Sequence, residues 1–219
     1  MAIRYTEIVG VILAGGQSSR MDYRDKALLT LGERPVISYV IENARPQVSR
    51  LLINANRHQQ KFADFGLPVL SDGYGPAAGP LAGILTAMEY CRKADIPAQA
   101  VACFPADSPW FPLDIVKRLA MSLLHENCQV SCIKHDTQWQ PLFSLWDMSL
   151  APVVRQAIAE NCYSPLALMQ SLPHGVVCLS DLSSEQFSNL NTPQDLQGAE
   201  EMLRKMARLG AADPEAGFE

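Results

Sequence analysis

The chain has 219 residues, of which 48% are hydrophobic and 19% charged, and a formal net charge of −5. That length buries a sizeable core without disulfides or a structural metal, and the acidic balance argues against broad electrostatic binding of nucleic acid. No stretch approaches the ~18 consecutive apolar residues of a membrane helix. Arg4 and Glu7 fall where the apolar core of a secretory signal would begin, so a cytoplasmic protein with no membrane association is expected.

Two periodicities alternate through the first half. Short β-rich runs occur at Ile8–Leu13, Leu51–Asn54, Pro68–Leu70 and Ala100–Phe104. Between them, Val36, Ile37, Val40, Ile41 and Ala44 form one helical face, and Leu81, Ile84, Leu85 and Met88 another. Pro80 suits the first turn of its helix, and Pro112 suits the first turn of a helix running to about Leu124. Strand–helix alternation with continuous apolar strands predicts an α/β fold: a mainly parallel sheet covered on both faces. Further on, Val130–Lys134 and Trp139–Trp146 read as strands around a turn at Asp136 and Thr137, followed by helices near Leu150–Glu160 and Pro165–Ser171. In the last helix Thr192 is the cap, Pro193 holds the first position and Asp195 lies in the first turn; Leu196, Ala199, Leu203 and Met206 form its buried stripe. From Gly210 the periodicity stops, so one domain over residues 1–209 and a disordered tail over 210–219 are expected.

Six cysteines are present, at 91, 103, 128, 132, 162 and 178, and none forms a Cys-x-x-Cys pair. Reduced thiols acting as small hydrophobes are expected.

The segment Leu13–Leu29, LAGGQSSRMDYRDKALL, follows the first strand directly. Ligands of open α/β sheets bind beyond the carboxyl ends of strands. Gly15 and Gly16 let backbone N–H groups approach a phosphate or base closely. Arg20, Arg24 and Lys26 set three cations within seven residues of an acidic chain. Neither the Walker string nor the Gly-x-Gly-x-x-Gly fingerprint occurs.

Leu13-Ala14-Gly15-Gly16, Arg20-Met21 and Asp25-Lys26-Ala27-Leu28-Leu29 together resemble the signature loop of the molybdenum cofactor guanylyltransferases, within the wider nucleotidyltransferase family. The resemblance continues in order through Asn54-Ala55-Asn56-Arg57-His58-Gln59, Gly79-Pro80-Leu81-Ala82-Gly83, Pro105-Ala106-Asp107-Ser108-Pro109 and Asn189-Leu190-Asn191-Thr192-Pro193. It implies a three-layer Rossmann-like nucleotidyltransferase fold and transfer of GMP from GTP to the terminal phosphate of molybdopterin. Pyrophosphate would leave and Mg2+ would be the cofactor. Arg20, Lys26 and Asp107 would be catalytic, with Asp107 the metal ligand and Asn191 a weaker second one. Leu13, Ala14, Gly15, Gly16, Lys26, Asn54, Asp72, Gly83, Asn189 and Asn191 would bind substrate. GTP, the molybdenum cofactor, its delivery proteins and molybdoenzyme chaperones are the implied partners. Gly15 points to guanine, since the cytosine-using relatives typically have alanine there.

Two departures stand out. Asp22 occupies the place where the family has glycine, adding a carboxylate beside the triphosphate, and Gln140-Pro141 replaces an expected His-Pro. A cytidylyltransferase for the same pterin, a sugar-phosphate nucleotidyltransferase and a non-catalytic GTP-binding homologue are the alternative readings.

Overall fold

The computed structural model describes residues 7–15, 25–74, 79–180 and 186–212. At its centre lies β1 (Ile8–Leu13), paired in parallel with β4 (Arg50–Asn54) on one side and β6 (Ala100–Pro105) on the other. All six β1 residues are buried, as a strand covered on both faces requires. Successive side chains point to opposite faces. Ile8 and Ile12 join a cluster with Ile37 and Val40 of α1 (Val36–Ala44) and Leu119 and Leu123 of α4 (Ile115–His125). Val9, Val11 and Leu13 join a second cluster with Leu81, Ile84 and Met88 of α3 (Gly79–Lys93) and Val154 of α5 (Ala151–Ala159). The result is the expected three-layer arrangement of helices, sheet and helices.

The sheet has seven strands in the order β5-β4-β1-β6-β8-β7-β9, where β5 is Val69–Leu70, β7 Val130–His135, β8 Gln138–Asp147 and β9 His174–Leu179. β8 runs antiparallel to both neighbours, β6 and β7, and the remaining pairings are parallel. Asp136, at φ 51°, and Thr137 make the expected turn between β7 and β8.

Four features differ from the sequence expectation. α4 begins at Ile115, with Pro112 before it rather than in its first turn. The Pro109 and Pro112 carbonyls accept from Asn43 and Gln47 (2.9 and 3.1 Å), so this stretch links α1 to α4. β9 was not anticipated; it follows Pro173 and contains a glycine, a weak strand signature, and pairing with β7 creates it. The small hairpin of β2 (Thr30–Leu31) and β3 (Arg34–Pro35) and the short α2 (Gln59–Ala63) carry too few residues to show a period. The last helix, α7 (Pro193–Ala212), passes Gly210, and residues 213–219 lie outside the described part. Its expected stripe is partly visible: Ala199, Leu196 and Leu203 pack with Leu31 and Val36, whereas the Met206 side chain lies outside the described residues. α6 (Pro165–Gln170) is capped by Ser164, which accepts from the Ala167 N–H at 3.3 Å.

Candidate active site

From β1 the chain passes through α1 to β4 and then β5 on one flank, and returns through α3 to β6 on the other. This reversal opens a crevice at the carboxyl ends of β1 and β6, the usual ligand position in open α/β sheets. Leu13, Ala14 and Gly15 leave β1 into it. Ala14 N–H donates to the Asn54 carbonyl at 2.9 Å, and Ala106 N–H donates to the Leu13 carbonyl at 3.3 Å. The start of the loop is thereby strapped between the ends of β4 and β6.

On the β4 side, Asn54 is 3% exposed and its Nδ2 donates to the Leu70 carbonyl at 3.4 Å. Gly83, in the second turn of α3, presses on the same amide. A Cβ there would fall 2.5 Å from Asn54 Oδ1 and 2.7 Å from Leu13 Cδ2, so only glycine lets the helix approach. At Gly15 a Cβ would meet Asn54 Oδ1 at 3.6 Å and Asn56 Nδ2 at 3.9 Å, ordinary contacts and the nearest among the described residues. Asp72, two residues past β5, accepts from Asn56 Nδ2 through Oδ2 at 2.7 Å. Its Oδ1 is buried and meets no hydrogen-bond partner among the described residues. A buried acceptor of that kind is completed by a donor from a ligand or water.

On the β6 side, Lys26 Nζ donates to Asn191 Oδ1 at 2.6 Å and lies 4.0 Å from Asp107 Oδ2. The two charged side chains are 20% and 24% exposed, enough to face a ligand from within the crevice. Burial raises the Asp107 carboxyl above the ordinary carboxylate range, against the opposing charge of Lys26. The Asp107 carbonyl accepts from Leu190 N–H at 2.9 Å, and the Ser108 hydroxyl donates to Asn189 Oδ1. Asp195 Oδ2 accepts from the N–H groups of Asn191 and Thr192 at 2.9 and 2.8 Å, and Thr192 Oγ1 accepts from Asp195 N–H at 3.2 Å. Burial acts to raise the Asp195 carboxyl, but these bonds and the charge of Lys26 hold it below the ordinary range.

Gly15 on one side of the crevice and the Lys26–Asp107 pair on the other suit a nucleoside triphosphate, and the chain is similar to known proteins along most of its length. The family model described as "MobA-like NTP transferase domain" matches residues 10–174. The chain belongs to this family. A molybdenum cofactor guanylyltransferase of Pasteurella multocida is 35% identical over 187 residues, covering 85% of this chain and 96% of the relative. A molybdenum cofactor guanylyltransferase of Cereibacter sphaeroides is 36% identical over 200 residues, covering 91% and 99%. The crystal structure of the molybdopterin-guanine dinucleotide biosynthesis protein A of Archaeoglobus fulgidus superposes with a TM-score of 0.74 at 23% identity. It covers 91% of this chain and all of that one, which establishes the shared fold.

Leu13, Ala14, Gly15, Asn54, Asp72 and Gly83 gather on the β4 side of the crevice, and Lys26, Asp107, Asn189 and Asn191, the last two beyond the matched residues 10–174, on the β6 side. Gly16, Arg20, Asp22 and Arg24 lie outside the described residues. Sequence reasoning missed three contributors. Ser108 anchors Asn189, Asp195 fixes the backbone of Asn191, and Asn56 holds Asp72. Asn56 lies inside a motif already singled out, but the partner that gives it a task is 16 residues away in sequence. Asp25, beside Lys26, is also perturbed: burial raises its carboxyl, while its own backbone contact and the charges of His58, Arg57 and Lys61 oppose the rise.

Proposed function

We propose that this chain transfers GMP from GTP to the terminal phosphate of molybdopterin, forming molybdopterin guanine dinucleotide. An acceptor phosphate oxygen forms a bond to the α-phosphorus, and the bond from that phosphorus to the oxygen bridging to the β-phosphorus breaks, releasing pyrophosphate. The observation that carries the proposal is the cluster of Lys26, Asp107 and Asn191 on the β6 side of the crevice into which β1 ends. Relatives named for the guanylyl transfer, matched over nearly their whole length, support its substrate.

Lys26 supplies a compact positive charge for the β- and γ-phosphate oxygens, where negative charge grows as pyrophosphate departs. Its bond to Asn191 holds the ammonium in place before substrate arrives. Arg20 serves the same oxygens with its planar fork. Asn54, Asp72 and the backbone of Leu13, Ala14 and Gly15 take the nucleoside, with the α3 turn at Gly83 closing the pocket behind Asn54. Asn189, held by Ser108, is assigned to the acceptor.

The donor set suits magnesium, which needs one or two carboxylates and takes its other ligands from phosphate and water. Asp107 would hold it, with the Asn191 amide oxygen as a secondary donor shared with Lys26. When bound, the ion neutralises charge on the triphosphate. Among the described residues no helix is long and apolar enough to cross a membrane. The proposed setting is the cytoplasm, where cofactor delivery proteins would bring the acceptor and molybdoenzyme chaperones receive the product.

The test is pyrophosphate release with magnesium and a molybdopterin-type acceptor, with GTP and CTP in parallel. Acceptor-dependent release with GTP alone is expected. Release with CTP alone would change the product, and GTP binding without release would sink the catalytic reading.

A further inference from the structure

Asn56 lies two residues beyond β4, and none of the roles above requires it. Its amide is committed to the segment after β5. Nδ2 donates to Asp72 Oδ2 at 2.7 Å, while Oδ1 accepts from the Asp72 N–H at 3.0 Å and from the Ser71 hydroxyl at 3.2 Å. The two bonds to Asp72 close a ring between side chain and backbone, so the carboxylate is held at one rotation. One of its oxygens is therefore occupied. The other, Oδ1, is buried with no partner among the described residues. The clamp also borders Gly15, since Asn56 Nδ2 is 3.9 Å from where a Cβ on that residue would stand.

We infer that Asn56 is a positioning residue that makes Asp72 a single-acceptor reader, presenting Oδ1 alone to one N–H or O–H donor of the nucleoside. This rests on the nucleotide assignment proposed above. An unclamped carboxylate rotates and offers either oxygen, or both, to whatever donors arrive. The clamped one accepts a single donor from a fixed direction, and the ordering is completed before the ligand binds. A consequence follows for an amide at position 72. Asn56 Nδ2 demands an acceptor opposite it, so the D72N amide must turn its oxygen toward Asn56 and its NH2 toward the nucleotide, donor against donor.

The test is a double-mutant cycle read as GTP affinity, titrating GTP with magnesium into the intact chain, N56A, D72N and the double variant. N56A is expected to weaken GTP about tenfold, the size of one well-placed hydrogen bond to a charged group. In the D72N background the same change is expected to cost no more than about twofold, or to restore affinity, because it frees the amide to flip. N56D keeps the acceptor bonds to Ser71 and to the Asp72 N–H and sets a second carboxylate oxygen against Oδ2 in place of the donor. It is expected to exceed the N56A loss, and melting temperatures measured beside the affinities of N56A and N56D separate positioning from folding. Equal losses from N56A in both backgrounds, or unaltered affinity in N56D, overturn the inference alone. Failure of the unmodified chain to bind GTP overturns it together with the nucleotide assignment.

Discussion

Asp107 and Gly15 define the two halves of the site and call for opposite experiments. Asp107→Ala removes the only carboxylate beside Lys26 among the described ion pairs, and kcat for pyrophosphate release is expected to fall by ~100-fold or more. Turnover near that of the unmodified enzyme at saturating magnesium would remove Asp107 from the mechanism. Gly15→Ala adds a Cβ whose nearest neighbour among the described residues is 3.6 Å away, so the fold should tolerate it while GTP binding weakens relative to CTP. Gly83→Ala is the contrast. Its Cβ would drive into Asn54 and Leu13, and both the melting temperature and GTP affinity should drop together. If Gly15→Ala lowers the melting temperature as much as Gly83→Ala, the space above Gly15 is not the nucleoside pocket. At this scale the sequence was informative about position: Asn54, Asp72 and Asp107 stand at or just past the ends of β4, β5 and β6, as expected. It was silent on the tasks of Asn56 and Ser108, whose partners are brought near only by folding.

Helix ends and strand interiors carry the next level. Asp195 and Thr192 form a reciprocal cap at the start of α7, and the same carboxylate fixes the backbone of Asn191. Asp195→Asn is expected to destabilise the protein by about 1 kcal/mol at neutral pH. The Asp195 carboxyl is held below its ordinary range, so its contribution is present above the unfolded-state pKa and fades as pH falls through the folded one. The two proteins should therefore converge in stability under acid. A gap that persists at low pH would mean the cap does not depend on the charge. Strand position also sorts the cysteines. Cys103 on β6 and Cys132 on β7 are buried, and burial pushes both thiols up to about 12. Cys178 on β9 is exposed. Iodoacetamide on the native protein at neutral pH should label Cys178 and spare Cys103 and Cys132; labelling of Cys103 at a comparable rate would contradict its burial in β6. The cap of α7 was legible because Thr-Pro-x-Asp is a local pattern. The start of α4 was misplaced because the carbonyls at Pro109 and Pro112 answer to α1, a partner no local pattern reveals.

Across the whole molecule, stability should follow the sheet order. β1 and β6 have neighbours on both edges and helices over both faces, whereas β5 contributes two residues at one edge and β9 closes the other. Native-state hydrogen exchange is expected to be slowest at the β1 and β6 amides and fastest at β5 and the β2–β3 hairpin. Uniform protection across the sheet would show that it opens only as a unit. The parallel half was visible in the sequence because fully buried strands read as unbroken apolar runs. The other half was harder, because β8 runs against both its neighbours and β9 acquires its identity only by pairing with β7.

The bond between Lys26 and Asn191 spans 165 residues. On the ribosome that separation becomes a delay. At ~5–20 residues per second, roughly 8–33 s pass between the synthesis of the lysine and that of the asparagine that holds it. Throughout that interval the nascent polypeptide carries the Lys26 charge without the clasp that orders it, so the pair forms only once residue 191 has been made.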